Sequence, residues 1–121
     1  VSLESVASAI DAKPANVRPE PANQTLGPKC DFKAPEGEDL LVGFTVQLTE
    51  AGDPSLARAT IEACNGKRIA DLGDVAVLEQ SAVGSQISVV RGSRYVQLQT
   101  RRKPASEDAM IDLGRQAVAK L

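Results

Sequence analysis

The sequence predicts an α+β domain, an antiparallel sheet of about five strands with helices packed on one face, in the order α-β-β-α-β-β-β-α. Two observations carry that expectation. Segments with apolar residues at helical spacing stand at both ends and in the middle of the chain. Between them the strand patterns are grouped, first a pair and then a triplet, each joined by turn residues. At 121 residues the chain suits one domain, residues 1–121, long enough to bury a core without the help of a metal.

The first element is a helix from Ser2 to Ala12, where Leu3, Val6, Ala7 and Ile10 recur at i, i+3, i+4 and i+7. Pro14 ends it, because the residue before a proline is pushed out of the α region. Residues 13–28 hold Pro14, Pro19, Pro21, Gly27 and Pro28, which predicts an extended surface connection. Asn23-Gln24-Thr25 within it matches the glycosylation sequon by chance.

A hairpin follows. Cys30, Phe32 and Ala34 alternate with Asp31 and Lys33, then Pro35-Glu36-Gly37-Glu38 supplies turn chemistry. Val42, Phe44, Val46 and Leu48 continue on the buried side. Asp53 and Pro54 begin a second helix as cap and first residue. Leu56, Ala57, Thr60, Ile61 and Cys64 make its inward face, and Gly66 ends it in a left-handed conformation.

Three strands come next, Val75 to Gln80, Gln86 to Arg91 and Arg94 to Arg101, with Gly92-Ser93 as a two-residue turn. On the last of them Val96, Leu98 and Thr100 share one face. Tyr95, Gln97 and Gln99 share the other, which predicts a sheet with one solvated side. Ser106 caps the final helix, with Glu107 and Asp108 against its N-terminal dipole and Met110, Leu113, Ala117, Val118 and Leu121 as the buried stripe.

Composition narrows the function. The chain has no histidine, which removes the commonest general base at neutral pH and rules out Ser/His/Asp and Cys/His nucleophile systems. Phosphate-cradling glycine motifs are missing, and no cofactor or metal is implied. Asp71-Leu72-Gly73-Asp74 lacks the twelve-residue ligand pattern of a calcium loop and reads as a turn into a strand. A net charge of −2 gives no field to attract nucleic acid. No apolar run approaches the length of about 20 residues that spans a bilayer. With only Phe32, Phe44 and Tyr95 as aromatics, aromatic anchors and base stacking are poor explanations of binding. The chain opens at Val1 without Met, as expected of a mature segment whose targeting sequence has been removed.

Two residue pairs stand out. Cys30 and Cys64 are too far apart in sequence for a CxxC motif and have no histidine to complete a zinc site. They are either one long-range disulfide, which implies an oxidising compartment, or two buried thiols. Arg91 and Arg94 flank the Gly92-Ser93 tip, with Arg101, Arg102 and Lys103 about 25 Å away at the other end of the strand. The tip is a candidate docking edge for an acidic partner, or a pair of solvated strand ends.

Taken together, several segments resemble a known group. These are the short helix, the proline-rich connection, Cys30-Asp31-Phe32, the helix led by Leu56-Ala57-Arg58-Ala59, and the Leu72-Gly73-Asp74-Val75 turn before an Ala- and Leu-rich last helix. The arrangement is similar to the small secreted lipoproteins of actinobacteria, whose fold resembles the PsbP-like sandwich of helices on an antiparallel sheet. Those domains usually carry Trp after the first cysteine, where this chain has Phe32. Neither Cys30 nor Cys64 suits a lipid-bearing role, since both lie inside elements. The resemblance implies membrane anchoring and transfers no catalytic residue.

The expectation is a non-catalytic extracytoplasmic binding domain, the soluble part of a cell-envelope lipoprotein, whose partner is another protein or a small apolar or envelope ligand held between helix layer and sheet. The alternative is a secreted inhibitor or sensor ectodomain acting through the 91–94 hairpin. An enzyme using carboxylates alone is the third reading.

Overall fold

The computed structural model describes residues 2–10, 12, 14–24, 27–36, 40–50, 55, 59, 61, 66–101 and 104–119. Helix α1 (Leu3–Ala9) begins at Ser2, whose hydroxyl accepts from the Ser5 N–H. After a 3-10 turn at Pro14–Asn16 come β1 (Arg18–Gln24), β2 (Gly27–Glu36) and β3 (Leu40–Glu50). Ser55, Ala59 and Ile61 are helical. Then follow β4 (Lys67–Arg68), β5 (Val75–Ser81), β6 (Gly84–Arg91), β7 (Arg94–Arg101) and helix α2 (Glu107–Val118).

The architecture is α+β, as the pattern predicts, but among the described residues the single antiparallel sheet has seven strands in the order β1-β2-β3-β7-β6-β5-β4. Hairpins join most neighbours. The exception is β3 against β7, which brings Val46 opposite Leu98 and Phe44 opposite Thr100.

The two strands that the sequence pattern misses are both edges. β1 lies in the proline-rich stretch predicted as an extended surface connection outside any regular element. Pro19 and Pro21 are two residues apart, so both missing donors fall on one side of the strand, which an edge strand tolerates. β4 is only Lys67 and Arg68, opposite Leu78 and Val77, too short to produce a periodic signal. Prolines on one edge and two exposed charged residues on the other blunt both against further strand pairing.

One face of the sheet packs on α1 and α2. Phe44, Ile87, Val89, Leu98, Met110 and Leu113 are fully buried there with Val6 and Ile10. Val46 is partly buried against the same cluster. Leu3, predicted to join this stripe, is 37% exposed. Ser106 caps α2 by accepting from the Ala109 N–H at 3.2 Å.

The helices are not all on one face. Ile61 is buried with Val75, Val77 and Val90, and Tyr95 packs against them. These belong to the face opposite the main core, since residues 76 and 78 point to α2's side and strand side chains alternate. β5 is thereby buried on both faces from Val75 to Leu78, and the second face is partly covered. Gly66 also departs from expectation. It keeps an ordinary φ, and its missing Cβ makes room for the Leu78 carbonyl, which would lie 2.5 Å from such an atom.

Candidate functional site

The pairing of β3 with β7 assembles a polar surface on the second face. Glu79, Gln86, Gln99 and Thr45 stand in direct register across β5, β6, β7 and β3. The next row holds half-buried Gln97 and Gln47, with Ser88 buried beside them. Rows two residues apart are separated by about 7 Å. Beyond them the face turns apolar at Val90 and Tyr95, where Ile61 covers it.

The glutamine side chains among the described residues divide into two kinds. Gln80 donates to the Ala105 carbonyl at 2.8 Å. Gln116 accepts from the Ser2 N–H at 3.0 Å and donates to the Ser5 hydroxyl at 2.8 Å, which ties α1 to α2. Both are structural. Gln47, Gln86, Gln97 and Gln99 make no side-chain hydrogen bond among the described residues, and all four lie on the second face. Each amide has two donor hydrogens and an acceptor oxygen.

An open cleft of about 410 Å³ adjoins this surface, lined by Glu79, Val83, Gln86, Gln99 and Arg101 among others. Its floor is braced. The Ser85 hydroxyl accepts from the Ala105 N–H at 2.9 Å and donates to the Ala105 carbonyl at 3.2 Å. The Ser85 N–H donates to the Thr100 hydroxyl at 2.8 Å. Gly84 permits the close approach, since a Cβ there would lie 2.5 Å from the Thr100 carbonyl oxygen. At the rim, Val83 projects from the β5–β6 turn, 73% exposed. On the far side the Arg101 guanidinium lies over Gly43, filling the space a side chain would occupy.

The arginines flagged by the sequence face each other across the β6–β7 turn. Gly92 takes a φ of 61°, as a glycine-first hairpin requires. Like charges directly opposite each other repel. The Arg91 guanidinium donates to the Val118 carbonyl at 3.2 Å, placing its charge on the negative end of α2. The tip is also pinned from beneath, because the Asp74 carboxylate accepts from the Gly92 N–H at 2.8 Å. Asp74 thus has a bracing role, and Asp71 beside it occupies the left-handed region at φ 59°.

Cys30 lies in β2 opposite Val46 and Pro21, while Cys64 lies outside the described residues. No cluster of three or more His, Cys, Asp or Glu side chains suited to a metal occurs among the described residues. No helix among them is long and apolar enough to cross a membrane. The space predicted to hold a ligand between helices and sheet is occupied by core side chains, with Phe44, Ile87, Leu98, Met110 and Leu113 at no exposure.

No protein-family model, no curated protein and no solved structure matches the chain.

Proposed function

We propose that the chain is a non-catalytic extracytoplasmic binding domain, the soluble part of a cell-envelope lipoprotein, and that it binds through the polar face of its sheet. One observation carries this reading. Four glutamine amides with no side-chain hydrogen bond among the described residues stand together on the face beside an open, braced cleft. A filled interior moves binding to the surface, and two blunted edges leave a face rather than a strand edge to make the contact. The absence of histidine from the whole sequence supports a role without general-base chemistry. A disulfide between Cys30 and Cys64 belongs to the same reading.

The second reading places binding at the 91–94 hairpin of an inhibitor or sensor ectodomain. A rigid tip held by Asp74 favours it, while the engagement of Arg91 with α2 leaves less of the pair for a partner.

Fractionation of source cells with protease added to the outside tests the proposal. The full-length protein is expected in the envelope fraction and open to external protease. Recovery from the cytosol, protected until lysis, would overturn it.

A further inference from the structure

We infer that the ligand of the second face is a neutral, extended polysaccharide strand lying across the β-strands. This deepens the proposed binding function and rests on it. The row Glu79–Gln86–Gln99–Thr45 crosses four strands and spans about 14 Å, with one polar side chain every ~4.8 Å. That interval is close to the rise of one sugar in an extended β-linked glycan, so successive sugars meet successive side chains.

The chemistry of the row fits hydroxyl groups. A sugar hydroxyl both donates and accepts, and a primary amide offers donor and acceptor side by side. Gln86 and Gln99 are directly opposed, and Gln97 and Gln47 repeat the arrangement in the next row. None of the four amides has a hydrogen bond to lose among the described residues when a ligand arrives. Tyr95, partly buried beyond the second row, adds one apolar ring at the margin.

A peptide fits less well. An extended peptide repeats every ~3.4 Å per residue and takes its main-chain bonds from a sheet edge. Here the edges are β1, with Pro19 and Pro21, and the two-residue β4. A nucleic acid would need a basic surface, whereas this row holds amides and one carboxylate.

The test uses the whole chain labelled with 15N and three probes, namely chitohexaose, cellohexaose and a neutral peptide of serine and glutamine. Side-chain amide resonances of Gln47, Gln86, Gln97 and Gln99 are expected to move with at least one β-linked hexasaccharide, while those of Gln80 and Gln116 stay. Gln86→Ala combined with Gln99→Ala is expected to weaken binding about tenfold or more, as loss of one to two hydrogen bonds implies. An unchanged amide spectrum outside those positions confirms that the variant is folded. If neither hexasaccharide moves the four amides, or the double variant binds as tightly as wild type, the inference is overturned. If only the peptide moves them, the glycan assignment falls while the binding face stands.

Discussion

Phe32 and Phe44 stand directly opposite each other on β2 and β3, with ring centroids 6.2 Å apart and planes tilted by 55°. They are two of only three aromatics in the chain, and Phe44 has no exposure at all. Tilted pairs at this separation add to the burial of both rings. Phe44→Ala is therefore expected to cost about 3–5 kcal/mol, since it opens a cavity that neighbouring strands cannot close. Urea denaturation measures this, and a shift below about 1 kcal/mol would mean that the β2–β3 register is wrong.

The Ser85 hydroxyl bridges both polar groups of the Ala105 backbone from a position 1% exposed. Ser85→Ala leaves a buried N–H without its partner and is expected to cost about 1–3 kcal/mol. Ser85→Gly should cost at least as much, because it restores no acceptor. Equal stability of Ser85→Ala and wild type in denaturant would remove the hydroxyl from its bracing role.

Arg91 is exposed, yet its replacement by Ser should be measurable. Arg91→Ser loses the interaction with the Val118 carbonyl and should destabilise by about 0.3–1 kcal/mol, less at high salt. Arg91→Lys keeps a positive charge near that end and is expected to cost less than Arg91→Ser. Melting curves at low and high salt decide this. An equal loss for Arg91→Ser and Arg91→Lys at low salt would contradict the assignment of Arg91 to the end of α2.

Cys30 and Cys64 are expected to form a disulfide in protein made in an oxidising compartment. Closing a loop of that length is expected to contribute about 3–4 kcal/mol. Alkylation under denaturing conditions without reduction should add nothing to the mass, and prior reduction should lower the melting temperature. Two alkylations without reduction would establish free thiols and weaken the extracytoplasmic reading.

Much of this fold was legible because local chemistry repeated it. Ser106 capping α2, Gly92 turning β6 into β7, and the alternation around Phe44 and Leu98 each follow from short-range patterns. What was not legible depended on partners. Pro19 and Pro21 argue against a strand until β2 supplies one side to pair with. Lys67-Arg68 has no period to read. The apolar stripe containing Ile61 announces a helix but not which face of the sheet it covers. The candidate site shows the same division. Gln97 and Gln99 could be placed on a solvated face from β7 alone. Their alignment with Gln47 needs the pairing of β3 with β7, strands that are not consecutive in the chain, and sequence alternation carries no such information. Arg91 and Arg94 are conspicuous in the sequence because clustered charge is visible there, whereas an amide array is not.

The most direct test of binding through the sheet face is co-sedimentation of the purified chain with isolated cell envelopes. It compares wild type, Gln86→Ala with Gln99→Ala, and Arg91→Ser with Arg94→Ser. Wild type and the arginine variant should sediment alike, and the glutamine variant should remain in solution with an unaltered melting temperature. Retention of the glutamine variant on the envelopes, or loss of the arginine variant alone, would contradict the account.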